Sequence, residues 1–242
     1  MSVRLQSNYL TEKFGNMKFE GNVSRSMSED STDSDFEVRV IEEEDKSSVI
    51  DLARRFFNRD EPLNEYIGLT GPDGKCSDLE AYILSTLEEG TSVKAVADGK
   101  LVAFSMNGIV GKDDPNEKSY VDSPKFQMIL DFLLYNTVQC DIFGKYPDID
   151  KAMTVKILSV DPCMRGRGVA TKLVDETRRI AIDKGCKLMY VECTSHFSAQ
   201  IMKRLGFEKI YSLKYSDYKV DGKVIFNPKQ PHEEYTVYVQ KL

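Results

Sequence analysis

The segment Val160-Asp161-Pro162-Cys163-Met164-Arg165-Gly166-Arg167-Gly168-Val169-Ala170 constrains this chain more than any other. Before it stands a short apolar run suited to a strand, Lys156 to Val160 (KILSV). After it comes a helical pattern from Thr171 to Lys184, with Leu173, Val174, Thr177, Ile180 and Ala181 inward and Gly185 as the stop. A glycine-rich passage from strand to helix aims consecutive backbone N–H groups and the positive end of the helix dipole at one place, and a pyrophosphate fits there. Gly166 and Gly168 allow close approach, Arg165 and Arg167 add charge, and the Thr171 hydroxyl lies in the first turn. Glycines in such a place can also serve the turn alone. A dinucleotide-binding reading fits less well, because Gly166-x-Gly168-x-x-Thr171 lacks a third small residue and lies late in the chain instead of opening a first βαβ unit.

The remaining pattern is that of an α/β domain. Phe36 to Ile41 alternates as a strand, and Val49, Ile50, Leu52, Ala53, Phe56 and Phe57 recur at helical spacing. Asp60-Glu61-Pro62 reads as a second helix start, with Asp60 as cap, and Leu79 to Leu87 is helical again. Ser92 to Ala97 and Leu101 to Gly108 form a hairpin about Asp98-Gly99. Ser123-Pro124 opens a helix to Gln139, its apolar face drawn through Phe126, Ile129, Leu130, Leu133, Leu134 and Val138. Leu188 to Cys193 is a strand, Ser198 to Leu205 a short helix, Asp221-Gly222 a second hairpin turn, and Tyr235 to Gln240 the last strand.

Composition narrows the function classes. With 33 basic and 39 acidic residues and a net charge of -6, the chain is a poor general binder of polyanions, so nucleic acid is not an expected partner. The five cysteines, Cys76, Cys140, Cys163, Cys186 and Cys193, show no metal-ligand spacing, so reduced thiols and no metal are expected. No apolar run is long enough to span a bilayer and Met1 to Leu10 lacks a signal-peptide core, which points to a cytoplasmic protein that does not engage membranes. Ser24 to Asp35 is serine-rich and acidic. Residues 1–35 are therefore expected to be a disordered tail before a single domain, 36–242, acting as a monomer.

The motifs also carry a family resemblance. Arg165-x-x-Gly168-x-Ala170 is similar to the acetyl-CoA signature of the GNAT N-acetyltransferases, and Ala199 with Leu205-Gly206-Phe207 is similar to their second block. Longer strings, Phe56 to Asn64 (FFNRDEPLN), Lys156 to Asp161 (KILSVD) and Cys193 to Ala199 (CTSHFSA), resemble the insect arylalkylamine N-acetyltransferases, which act on dopamine and serotonin. The resemblance implies an α/β GNAT fold: a central, mostly antiparallel mixed sheet flanked by helices, with a V-shaped opening between two central parallel strands. It further implies acetyl-CoA as co-substrate. Leu158, Ser159 and Val160 would pair with the pantetheine arm, and Arg165, Gly166, Arg167, Gly168, Val169, Ala170 and Thr171 would wrap the pyrophosphate.

Acetyl transfer needs a neutral amine, and an alkylammonium must first lose a proton. By resemblance Glu61 is the general base, although a glutamate there also suits a helix start. Thr194 and Ser198 map onto two hydroxyl residues near the thioester, with Ser198 alternatively the cap of its helix. The tyrosine that many GNAT enzymes use to protonate the leaving thiolate is Met202 here, so that donor must be another group or water. The same replacement leaves room for a catalytically weak acetyl-CoA-binding module. His196 lies in the same loop as a relay candidate, whereas Cys193 reads as a buried strand cysteine in a family of direct transfer. The expected acceptor is a dopamine-, serotonin- or tyramine-type aromatic amine, with polyamine or protein amines as the alternative.

Overall fold

The computed structural model describes residues 35–115 and 120–242; the expected tail up to residue 34 lies outside the described residues. The central sheet is formed by β1 (Glu37–Val40), β2 (Val93–Ala97), β3 (Lys100–Gly111), β4 (Lys151–Val160), β5 (Leu188–Cys193), β6 (Glu208–Lys214) and β9 (Glu234–Lys241), in the order β1-β2-β3-β4-β5-β9-β6. A small hairpin of β7 (Lys219–Val220) and β8 (Lys223–Val224) stands apart, and its turn places Asp221 and Gly222 at positive φ. Asp98 (φ 49°) and Gly99 (φ 70°) make the β2–β3 turn in the same way, as hairpins of two turn residues require.

Every neighbouring pair in the central sheet is antiparallel except β4 and β5. Their parallel pairing runs only from Ala152↔Leu188 to Val155↔Val191, whereas β4 continues to Val160. The two strands therefore part in the middle of the sheet. The break coincides with an extra residue in β4: Asn107 faces Val155 and Met106 faces Ile157, so Lys156 has no counterpart on β3. A bulge of this kind bends its strand and turns it away from its neighbour.

The helices cover both faces. α7 (Val169–Asp183) buries Leu173, Val174 and Ile180 on one face, against Met153, Met189 and Val191. The buried Asn107 amide pins it there by donating to Thr177 Oγ1 at 3.0 Å. On the other face lie α1 (Lys46–Leu52), α2 (Asn58–Asp60), α3 (Pro62–Ile67), α4 (Ser77–Ser85), α5 (Pro124–Cys140) and α6 (Ile142–Lys145). α8 (His196–Arg204) follows β5.

Two local readings change in the folded chain. Ser123 caps α5 through the Phe126 amide as its position suggests, but the helix buries Phe126, Ile129, Phe132, Asn136 and Cys140, and leaves Val138 half exposed. Its inward stripe is centred on Phe132, which meets Tyr215, Tyr218, Phe226 and Tyr235 within 6 Å between ring centroids. Partner rings from the C-terminal third of the chain, invisible to a local pattern, decide this rotation. Second, α1 passes through a π-helical turn, Ala53–Phe57, into α2, which ends at Asp60. Asp60 thus finishes one helix and is not the cap of the next. That cap is Glu61, extended at φ -66° and ψ 128°, with Pro62 as the first residue of α3.

Candidate active site

The strand-to-helix loop adopts the form its glycines require. Gly166 (φ 78°) and Gly168 (φ 79°) lie in the left-handed region, and an added Cβ at either would meet no atom within 4 Å. Their need is conformational, and the space above them is open. Gly168 is the N-cap of α7 and has no side chain to offer, so no side chain caps the first turn of that helix. N–H groups left in that way, at the positive end of a helix of fifteen residues, suit an anion. Exposed Arg165 and Arg167 flank the spot, with Arg165 steadied by its Nε donating to the Val160 carbonyl at 3.3 Å. Thr171 lies in the first turn, partly buried.

Leu158, Ser159 and Val160 lead into this cradle. On one side they pair with Ser105, Phe104 and Ala103 of β3; on the other, β5 has already parted from them. That edge is a strip of backbone able to pair with an extended amide-bearing chain, ending beside a phosphate-sized anion site.

The Glu61 segment is held against the same loop. Arg165 lies 3.6 Å from Asp60, and Arg55 lies 3.6 Å from Asp161, so an ion pair ties each side of the loop to the α1–α2 run. Glu61 itself turns inward. Its Oε2 accepts from the Asn64 amide at 2.7 Å, and its Oε1 is buried without a hydrogen-bond partner among the described residues. Burial pushes this carboxyl above the ordinary glutamate range, against the opposing pull of the Asn64 amide, the Thr194 side chain and the Leu63 amide. Such an acid is ready to take up a proton.

Thr194, just past β5, is brought to Glu61, and its carbonyl accepts from the Tyr215 hydroxyl at 2.6 Å. Tyr215 is 2 % exposed and feels the Glu61 charge. Ser198 is not the cap of α8: that helix begins at His196, and Ser195 caps it through the Phe197 amide. Ser198 lies in the first turn and donates to the Ser195 carbonyl at 2.8 Å. His196 is exposed, and its backbone amide donates to His232 Nδ1 at 3.1 Å. Cys193 is buried, and burial pushes its thiol up to about 12, far from a thiolate nucleophile. Met202 is wholly buried in the core beneath α7.

Tyr215, which reaches the Thr194 carbonyl, escaped the sequence reading, because no pattern in the C-terminal region singled it out.

A glycine-rich loop opening a helix, an open strand edge leading into it, and a buried glutamate on a segment tied to the same loop are the parts that an acyltransferase using a coenzyme A thioester needs. Comparison with known proteins gives the same class. The model of the Acetyltransferase (GNAT) family matches residues 137–207. The solved arylalkylamine N-acetyltransferase 2 of the mosquito Aedes aegypti is 30% identical, with a TM-score of 0.80 over 85% of this chain and 98% of that one. Drosophila melanogaster polyamine N-acetyltransferase, described as forming N-acetylagmatine, is 26% identical, with a TM-score of 0.77 over 86% of this chain and all of that one. A mosquito arylalkylamine N-acetyltransferase-like protein, 5b, is 27% identical, with a TM-score of 0.76 over 86% and 100%. This chain belongs to the GNAT acetyltransferase family.

Proposed function

We propose that the chain transfers the acetyl group of acetyl-CoA to the primary amine of an arylalkylamine, by direct attack within a ternary complex, with Glu61 as general base. The observation that carries this reading is the buried Glu61 carboxylate with its unpartnered Oε1. A proton acceptor must be free on one oxygen and better at holding a proton than an ordinary glutamate, and burial supplies the second property.

The other residues take roles that follow from their places. Arg165, Arg167 and the first turn from Gly168 to Thr171 bind the pyrophosphate, and the open edge of Leu158 to Val160 pairs with the pantetheine amides. The co-substrate, when bound, supplies an activated acyl thioester. Thr194 and Ser198 border the reacting end, with Thr194 helping to hold Glu61 and Ser198 close to the mouth of β5. The aryl group is assigned to the α5 side of the sheet, where the part-exposed rings of Tyr135 and Tyr218 lie against buried Phe132. The likeness to the Drosophila polyamine enzyme supports a second reading, in which the acceptor is a polyamine or agmatine-like amine.

The test is Glu61→Gln. It keeps the shape and cannot take the proton, so kcat/KM should fall by about 10²–10⁴ near neutral pH. In the parent enzyme the rate should rise through a carboxyl group titrating above the usual glutamate value. In the mutant that limb should vanish, and the rate should recover at high pH as the free amine becomes neutral. A mutant with the parental rate and pH profile would return Glu61 to the role of a helix cap. Parallel assays with tyramine, dopamine, serotonin, agmatine and spermidine rank the two acceptor classes.

A further inference from the structure

Glu192 is a second buried acid on the face of Glu61, and the reading above gives it no task. It stands one residue beyond the last β4–β5 pair, where the strands part. Alternation along β5 turns it toward the α5 face, with Leu188 and Tyr190. Thr137 on α5 donates to its Oε1 at 3.0 Å. Tyr235, fully buried and with its hydroxyl outside normal hydrogen-bond geometry, acts on it from β9. The residue nevertheless remains partly exposed.

Its surroundings lack a counter-ion. Lys156 is the nearest influence of opposite sign, but the Lys156 ammonium reaches toward Glu89, 3.9 Å away, and lies over Gly108, where an added Cβ would come within 2.7 Å of its Nζ. Among the described residues, none forms an ion pair with Glu192. A buried carboxylate left without a cation is costly, and a fold that keeps one has a use for it.

The two acids adjoin the same buried aromatic cluster. Tyr215 reaches the Thr194 carbonyl beside Glu61, Phe132 lies 5.8 Å from Tyr215 and 5.5 Å from Tyr235, and Tyr235 adjoins Glu192. Thr194, which acts on Glu61, stands two residues after Glu192, roughly 6.6 Å along an extended chain. Their settings differ. Burial pushes both carboxyls above the ordinary glutamate range, opposed at Glu192 by the Tyr235 and Thr137 hydroxyls and the Lys156 charge; Glu192 Oε1 has Thr137 as partner, whereas Glu61 Oε1 has none among the described residues.

We propose that Glu192 is the ammonium-binding residue of the acceptor site: it holds the positively charged amine where β4 and β5 part, and Glu61 then receives the proton. The proposal deepens the acetyltransferase reading and rests on this face being the acceptor side. It assigns attraction of the cation and removal of its proton to different carboxylates.

The experiment measures binding without turnover, so that it stands apart from the role of Glu61. N,N-dimethyl-2-phenylethylamine keeps the charge and cannot be acetylated; 2-phenylethanol is its neutral counterpart. Calorimetry at pH 7 on the full chain, saturated with CoA, should show that the parent prefers the cation. Glu192→Gln should weaken the cation by at least about tenfold and leave the affinities for the alcohol and for CoA unchanged. Glu61→Gln should keep most of the preference. Equal losses for both ligands, or no loss for either, would overturn the proposal. Should Glu192→Gln fail to fold, Glu192→Asp keeps the charge but withdraws it by one methylene; a cation affinity unchanged in that variant, or a loss shared equally by the alcohol, overturns the proposal as well. Failure of the base assignment would show instead in the pH profile of Glu61→Gln.

Discussion

Substitution at Gly168 separates the shape of the cradle from its charge. Gly168 lies at φ 79° with no neighbour near an added Cβ, so Gly168→Ala and Gly168→Asp meet no clash; the left-handed backbone costs alanine about 1–2 kcal/mol and aspartate less, since its carboxylate also caps the first turn of α7. Gly168→Asp should therefore melt no lower than Gly168→Ala. Only the aspartate adds a negative charge, and it does so where the first turn of α7 presents its N–H groups. At about 4 Å, the repulsion from one phosphate charge lies between about 1 kcal/mol in water and about 4 kcal/mol at a protein surface. With tenfold for every 1.4 kcal/mol, Gly168→Asp should bind acetyl-CoA roughly 5-fold to several hundredfold more weakly than Gly168→Ala. Calorimetric titration of both folded variants reads that ratio directly, with thermal melts as the control for strain. The gap should also narrow as salt is raised, because an exposed charge is screened. Equal affinities in the two variants would place the pyrophosphate elsewhere and refute the reasoning.

Two further outcomes follow from the chain's organisation. A protein beginning at Ser34 should keep the kcat and KM of the full chain, because the composition of the removed segment supplies little to pack; a loss beyond about tenfold, 1.4 kcal/mol in the transition state, would show that the segment acts at the site. Gly74→Ala should destabilise the fold by about 2–4 kcal/mol in denaturant melts, since its Cβ would lie 2.1 Å from the Arg54 carbonyl oxygen at φ 70°, whereas Gly99→Ala, at the same φ with open space, should cost only the strain.

Features governed by a residue and its near neighbours could be read from the sequence. Gly166 and Gly168 announced a close-approach loop between a strand and a helix, Asp98-Gly99 announced a hairpin, and Ser123-Pro124 announced the start of α5, because each depends on backbone sterics or on a hydrogen bond a few residues away. The strings carrying the family resemblance extended that reading to the fold. Errors clustered where the deciding partner is remote or the choice lies between adjacent positions. Asp60 and Glu61 both offer a carboxylate to a helix start, and Ser195 and Ser198 both offer a hydroxyl. In each case the outcome depends on where the preceding segment ends, and the π-helical turn at Ala53–Phe57 set that end for the first pair.

What the sequence by itself determined is the inventory of the chemistry: an anion cradle, an acid before a proline, and hydroxyl residues after a strand. Tertiary structure decided which of these meet. Burial raises the proton affinity of Glu61, and the groups that act on it or feel its charge include Thr194 and Tyr215, more than 130 residues onward. Glu192 gains its setting from Thr137, Tyr235 and Lys156, which lie on three other elements and come together only because β4 leaves β5 after Val155. Periodicity records which face of an element is apolar. Charge, desolvation and the space between two parting strands are properties of the assembled fold, and they exist only once the distant segments have packed.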